Sequence, residues 1–173
     1  LASRGERYDL AVVGGGALLI LGLIERPTRD LDVMARIDAQ RWSRAQPFQP
    51  GLTEAVRDVA GALDLPNDWL NPGPTDLLDL GLPEGFAERT VVRRYETLTV
   101  RFAARRDQIG FKLYAAVDQG PDSKHFADLM KLSPTPDELL VAARWTRTHD
   151  PSDGFRTMLH QALRAIGVEP SDV

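Results

Sequence analysis

The sequence predicts an α/β protein of the α+β kind, in which a small mixed β-sheet is flanked by helices and followed by a helical C-terminal part. Strand-like apolar runs alternate with helical stripes in residues 1–104. Two β-like runs near residue 95 are typical of a hairpin. From residue 105 onwards the apolar residues recur at helical spacing. We therefore divide the chain into a core, residues 1–104, and a helical C-terminal part of the same domain, residues 105–173.

The elements expected in the core begin with a buried strand that ends in glycine. Pro27 ends the apolar helix that follows, and Thr53 is the expected cap of the second helix. In chain order we expect a strand over Tyr8–Val13, a helix over Ala17–Ile24, a strand over Leu31–Ile37, an irregular segment over Asp38–Pro50, a helix over Leu52–Leu65, a turn-rich loop over Asp64–Leu82, and a hairpin of Thr90–Arg93 with Leu98–Phe102. Trp69, in that loop, either anchors the loop on the core or stacks on a base.

Four helices are expected in the C-terminal part. The first has an apolar stripe with Lys112 at its edge, and Thr135 with Glu138 forms a capping box at the third. The expected ranges are Arg106–Gln119, Ser123–Leu132, Pro136 to about Thr148, and about Gly154–Ile166, the last capped by Ser152 or Asp153.

Composition excludes several classes of function. The 173 residues include no cysteine, which rules out disulfides, thiol chemistry and cysteine zinc sites. The net charge of −4 gives no general attraction to nucleic acid, so any RNA contact needs a local basic patch. No apolar run approaches the length of a membrane span and no signal peptide is recognisable, so we expect a cytoplasmic protein.

The segment of residues 12–34 carries the chemistry. Asp30 and Asp32 are two positions apart at a strand, so we expect their side chains on one face about 7 Å apart. Two carboxylates this close repel each other unless a cation lies between them, and Mg²⁺ or Mn²⁺ prefers such oxygen ligands. The turn Gly14–Gly16 opens a helix, and its backbone N–H groups suit phosphate. The pattern predicts a site for a metal-bound nucleoside triphosphate, whereas a tight packing turn beside a solvated strand end is the plainer alternative.

This pattern also carries a resemblance. Gly-Gly, a spacer, and then Asp-hydrophobic-Asp resembles the signature of the nucleotidyltransferase superfold, the DNA polymerase β-like group. The longer run GGGALLILGLIERPTRDLDV resembles the small bacterial nucleotidyltransferases related to the toxin halves (AbiEii) of AbiE-type toxin–antitoxin systems. The resemblance implies a nucleotidyltransferase fold, with Asp30 and Asp32 as metal ligands.

A second part of the resemblance lies in the helical region. Residues 109–116 and 124–129 resemble the family's helix motif, although His125 stands where the family commonly has Asp. By this resemblance Lys112 binds the triphosphate, and Asp128 positions Lys112 or the outer shell of the metal. The plainer alternatives are a Lys112 that reaches solvent from the border of a buried face, and an Asp128 that forms surface ion pairs with Lys124 and Lys131.

Other site residues are less well defined. Thr28, with Arg26 and Arg29, contacts phosphate oxygens or merely forms the turn before the acidic strand. The superfold usually adds a third carboxylate on a neighbouring strand. Here no clear match exists, and the candidates by position are Asp76, Asp79 and Glu96.

The function implied is that of an enzyme, a nucleotidyltransferase. It moves a nucleoside monophosphate from an NTP to an acceptor hydroxyl with Mg²⁺ or Mn²⁺. The resemblance implies tRNA or another RNA, or a protein side chain, as acceptor, and an antitoxin protein as partner. An RNA acceptor would use the basic cluster Arg93, Arg94, Arg101, Arg105 and Arg106. The main alternative is a catalytically inactive nucleotidyltransferase-like module that binds a nucleotide or a protein. Nucleotidylation of a small molecule has only the shared superfold behind it.

Overall fold

A computed structural model describes residues 1–2, 5–170 and 173 of the chain. The chain forms two compact units, Leu1–Ala104 and Arg105–Val173. The first contains a mixed sheet with helices, and the second is helical. The mixed α/β class expected from the sequence is therefore confirmed.

The first unit is built on one sheet of six strands within its described residues. In space the strands follow the order β3-β2-β1-β6-β5, and the short β4 pairs with β2. β1 is parallel to β6 and antiparallel to β2. The strands are β1 (Tyr8–Val13), β2 (Leu31–Asp38), β3 (Arg41–Arg44), β4 (Leu70–Asn71), β5 (Val91–Tyr95) and β6 (Leu98–Phe102).

One face of this sheet carries the apolar core of the unit. Alternate residues of the central strands, such as Leu10 and Val12, are buried in it together with Leu52 and Val56 from a helix. The helices of the unit are α1 (Gly14–Ile20), α2 (Pro50–Leu63) and α3 (Phe86–Arg89), with a 3₁₀ helix at Gly73–Leu78. The opposite face of the central strands carries further buried residues, among them Ala11, Val13 and Met34, together with polar ones.

Asp32 belongs to that other face. Its neighbours Leu31 and Val33 both contribute to the apolar core. Because side chains alternate along a strand, Asp32 lies on the opposite face of β2. Its partner across the ladder is Val13, the last residue of β1. This register places Asp32 next to the turn that leaves β1.

Several expected boundaries near this turn are wrong. α1 begins at Gly14 rather than Ala17 and ends at Ile20, so the glycines are the first turn of the helix. β2 begins at Leu31, as expected, but Asp30 precedes the strand, so the expectation that strand alternation places Asp30 and Asp32 on one face is wrong. The expected start at Ala17 rested on the helix propensity of the apolar run. Gly14, with a φ of 75°, instead allows the helix to begin directly after β1.

The stretches expected to be irregular contain additional structure. β3 lies in the segment expected to be irregular, and β4 and the 3₁₀ helix lie in the expected loop. Thr53 is not a cap: α2 begins at Pro50 after Gln49, and the Thr53 hydroxyl donates to the Gln49 carbonyl at 3.2 Å. Proline at the first helical position already has the required φ, which moved the helix start forward.

The second unit contains the four expected helices. They are α4 (Arg105–Gln119), α5 (Lys124–Lys131), α6 (Pro136–His149) and α7 (Asp153–Ala165). α4 packs against the other three. The capping box of Thr135 and Glu138 is confirmed at α6, and Ser152 is confirmed as the cap of α7. Among the helices that the structure describes, none is long and apolar enough to cross a membrane.

Glu138 ties the start of α6 to α4. Its carboxylate accepts from the Thr135 backbone N–H at 2.9 Å and from the Arg105 guanidinium at 2.6 Å. Arg105 also donates to the Leu132 carbonyl at 2.7 Å. The hydrogen bond from Arg105 and the bond from Thr135 hold the pKa of Glu138 below its ordinary value.

We predict that Glu138→Gln lowers the free energy of unfolding by about 1 kcal/mol at pH 7, because it keeps the capping geometry but loses the charge facing Arg105. The pKa of Glu138 is lower in the folded chain, so its stabilisation is present above the unfolded pKa and is lost as pH falls through the folded pKa. The free energies of unfolding of wild type and variant, measured by urea unfolding, should therefore converge as the pH falls into the acidic range. Asp137→Asn, in the same helical turn, is the control, and a pH-independent difference for Glu138→Gln would contradict the prediction.

Candidate functional site

The glycine turn Gly14–Gly16 follows β1. At every position it is packed against residues 26–32, which we call the acidic segment. Gly14 has a φ of 75°, and a Cβ there would overlap Oδ2 of Asp32. A Cβ at Gly15 would lie 2.9 Å from a guanidinium nitrogen of Arg26. A Cβ at Gly16 would lie 2.7 Å from the carbonyl oxygen of Asp30. Glycine is therefore required most strictly at Gly14, by its positive φ, and at Gly16, by the backbone carbonyl of Asp30, whereas at Gly15 the flexible Arg26 side chain could move aside.

The two carboxylates are positioned by different means. Asp32 is fixed within the β2 ladder, opposite Val13. Asp30 lies before the strand, so the alternation argument does not apply to it. Instead the Thr28 hydroxyl lies 3.3 Å from both Oδ1 and the carbonyl oxygen of Asp30. Both carboxylates are only half-buried, which leaves them accessible to a cation or a ligand from solvent.

Asn71 is a residue of this site that sequence reasoning did not assign. It pairs with Asp32 across β4 and β2, and its Nδ2 donates to Oδ1 of Asp32 at 3.1 Å. Its side-chain oxygen accepts from the Gly73 backbone N–H at 2.9 Å, so both ends of the amide are engaged. A strand of two residues within a stretch rich in proline and glycine has no periodicity that could have revealed it.

The residues expected to contact phosphate lie around the same turn. Arg26 is half-buried with its guanidinium next to Gly15, whereas Arg29 is exposed. Thr28 is engaged with Asp30, as the turn interpretation expected. The glycine turn, Arg26, Thr28, Asp30 and Asp32 are thus brought together within the first unit.

The candidates for a third carboxylate are placed elsewhere. Asp76 and Asp79 both pair with Arg44, the latter at 2.9 Å. Glu96 is in the β5–β6 turn beside the start of β1, so it is separated from the glycine turn by the length of β1, on the order of 20 Å. Among the described residues no group of three or more acidic, histidine or cysteine side chains is placed to hold a metal ion.

Lys112 and Asp128 form a buried ion pair in the second unit. Their side chains are 4% and 2% exposed, and Lys112 Nζ donates to Asp128 Oδ2 at 2.7 Å. Both plainer alternatives are wrong: Lys112 is not at the border of a buried face, and Asp128 is not a surface partner of Lys124 or Lys131. The helical stripe underestimated burial because residues 107–113 of α4 are buried on all sides. Asp107, another buried acid of this helix, was also missed.

The expected basic cluster is largely engaged in internal contacts. Arg101 forms two hydrogen bonds with Asp9, at 2.7 and 2.8 Å, and these raise the pKa of Arg101. Arg105 is bonded to Glu138, and Arg93 lies over the Phe102 ring and donates to a backbone carbonyl at 3.1 Å. Arg94 and Arg106 are exposed. Fewer charges face solvent than the sequence suggests, which weakens the case for RNA at this cluster.

Trp69 anchors the segment that carries Asn71. Its ring packs on the apolar core of the first unit, and its indole N–H donates to the Val56 carbonyl at 3.0 Å. The anchor interpretation of Trp69 is therefore confirmed. Between the segment that carries Asn71 and α2 lies an open cleft of about 560 Å³, whose charged lining residues are Arg57 and Asp68.

We predict that Gly14→Ala destabilises the chain more than Gly22→Ala does. Gly22 has a φ of 70° and open space at its Cβ, so its substitution isolates the strain of a left-handed alanine, about 1 kcal/mol. Gly14→Ala adds the overlap with Asp32, a further cost of about 1–3 kcal/mol. Urea unfolding measures both, and equal losses would mean that Asp32 moves aside freely.

We predict that Lys112→Met lowers the free energy of unfolding by about 3–5 kcal/mol, because it leaves the buried Asp128 carboxylate without its cation. Lys131→Met, an exposed lysine on the same helix as Asp128, should change it by less than about 0.5 kcal/mol. The double variant Lys112→Met/Asp128→Leu should recover part of the loss. Chemical denaturation compares them, and similar effects at Lys112 and Lys131 would contradict the buried pair.

Comparison of the chain with protein-family models, with curated proteins and with solved structures finds no match.

Proposed function

We propose that this chain is a metal-dependent nucleotidyltransferase. It transfers a nucleoside monophosphate from an NTP to an acceptor hydroxyl and releases pyrophosphate. The observation that carries the proposal is the packing of the glycine turn on the acidic segment: Gly14 lies against Asp32, and Gly16 lies against Asp30. The two halves of the sequence signature therefore meet in one place, where β1 passes into α1 and where β2 begins.

The donor set suits a cation that arrives with a nucleotide. Mg²⁺ keeps several waters and is commonly held by one or two carboxylates together with substrate phosphates. Asp30 and Asp32, both half-buried, provide two such carboxylates. A third acid is not required for this mode of binding, and none is placed there among the described residues. The residues present therefore fit Mg²⁺ or Mn²⁺ as a partner of the triphosphate.

The chemistry expected is mainly positioning and charge stabilisation. A bound ion would neutralise the triphosphate and activate the acceptor hydroxyl. The acceptor oxygen forms a bond to the α-phosphorus, the bond from that phosphorus to the bridging oxygen breaks, pyrophosphate leaves, and the hydroxyl proton is lost to solvent. Asp30 and Asp32 would hold the cation, and the guanidinium of Arg26 beside Gly15 would supply a positive charge for phosphate oxygens.

The remaining residues have supporting roles in this proposal. Thr28 holds Asp30 by its hydroxyl. Asp128 fixes the Lys112 ammonium in the second unit, as the resemblance implies for a positioning carboxylate. The contact of Lys112 with the triphosphate that the resemblance implies is not part of the proposal, because the Lys112 ammonium is buried against Asp128. The acceptor is an RNA or a protein, and an antitoxin is the partner that the resemblance suggests.

We predict that at least one of ATP, GTP, CTP and UTP binds the wild-type chain in a metal-dependent manner, and that Asp30→Asn/Asp32→Asn abolishes this binding by removing both charges. Titration calorimetry with Mg²⁺ and then Mn²⁺ measures it. Asp38→Asn, at the exposed far end of the same strand, is the matched control and should bind as wild type does.

Transfer is then assayed with the bound NTP, labelled on the α-phosphate, and with tRNA as the first acceptor. Metal-dependent binding followed by transfer supports the enzyme. Binding without transfer to any acceptor favours the inactive nucleotide-binding module. The absence of binding with either metal would overturn the proposal.

A further inference from the structure

Asp32 is held by a contact that the proposed function does not by itself explain. The Asn71 amide nitrogen donates to Oδ1 of Asp32 at 3.1 Å. The two residues are 39 positions apart in the chain and are brought together by the pairing of β4 with β2. On its other side, the Asp32 carboxylate abuts the Gly14 backbone. The carboxylate is therefore confined between a strand edge and a glycine turn.

The orientation of the Asn71 amide is itself determined. Its oxygen accepts from the Gly73 N–H at 2.9 Å, so its nitrogen faces the carboxylate. An amide that presents N–H to a carboxylate does not ligate a cation. It fixes the direction of the acid that does, in the way that hydrogen-bonded outer partners fix metal ligands generally.

The anchoring of β4 makes this contact specific. The Leu31 N–H donates to the Trp69 carbonyl at 2.7 Å, and the Trp69 indole is bonded to α2. Asn71 thus lies on a segment fastened on both sides, and a fixed donor loses little entropy when the site fills.

We infer that Asn71 is a positioning residue for the metal site and acts through Asp32. Its amide holds Oδ1 of Asp32 toward β4 and so orients the carboxylate for a divalent cation. This inference rests on the proposed function, because it assumes that Asp32 binds the cation. It adds a residue in a place where the described residues offer no third acid.

Mn²⁺ titrated into the full-length chain, with the free ion followed by electron paramagnetic resonance, tests the inference. Asn71→Leu removes the donor, and we expect Mn²⁺ affinity to fall by about 10- to 100-fold. Asn71→Ala removes the same donor with a smaller side chain, so Mn²⁺ affinity should fall by a similar factor. Asn67→Leu and Asn67→Ala, at an exposed asparagine of the same segment, should leave it unchanged.

The same titration in two backgrounds separates positioning from a merely structural role. If Asn71 acts through Asp32, the loss caused by Asn71→Leu should disappear in Asp32→Asn and persist in Asp30→Asn. Equal losses in both backgrounds, or an Asn71→Ala affinity equal to that of wild type, would overturn the inference. Because alanine introduces no larger apolar side chain beside Asp32, Asn71→Ala decides the question even if Asn71→Leu does not fold. Failure of the wild type itself to bind Mn²⁺ without a nucleotide would overturn this inference, whereas the proposed function is decided by the NTP titration, in which the phosphates complete the coordination of the ion.

Discussion

The contact of the Gly14 backbone with the Asp32 carboxylate constrains the whole candidate site. It requires a residue without a side chain, in a left-handed conformation, at the point where β1 becomes α1. It also requires the β1–β2 register that sets Val13 opposite Asp32. A shift of one residue would move Asp32 into the apolar core and Leu31 out of it. The hydrophobic pattern of β2 and the position of the acid therefore enforce each other.

In the second unit, charged side chains are buried as an ion pair rather than left half-exposed. Burying a lysine and an aspartate together costs desolvation free energy that an apolar pair would not. Replacing a buried ion pair by packed apolar residues is often neutral or stabilising, so stability alone does not account for the pair of Lys112 and Asp128. What it does is restrict how α4 and α5 can pack, since any other arrangement would leave a buried charge alone. An ion pair of this kind favours one helix register over its neighbours.

The parts of the structure that local chemistry determines were predictable from the sequence. Residues 8–38 form strand, turn, helix and strand by patterns within a few positions of each other, and the capping box of Thr135 needs only four consecutive residues. Asn71 was not predictable, because its role depends on a two-residue strand that pairs with a distant one. The burial of Lys112 was missed for a similar reason: the helical stripe of α4 describes one face, whereas the second helix that supplies Asp128 closes another.

The brevity of β4 has a consequence for motion. Two residues contribute few ladder hydrogen bonds, so this strand belongs to the part of a fold that opens locally at a small fraction of the global unfolding free energy. An opening of β4 would withdraw the Asn71 amide and release Asp32 while β1, β2 and β6 stay paired, and the bonds of Trp69 to Leu31 and to α2 oppose it. Asp32 would then pass from a directed to an undirected state without loss of the core. A ligand that binds only the directed state slows amide exchange at Leu70 and Asn71 more than elsewhere in the sheet.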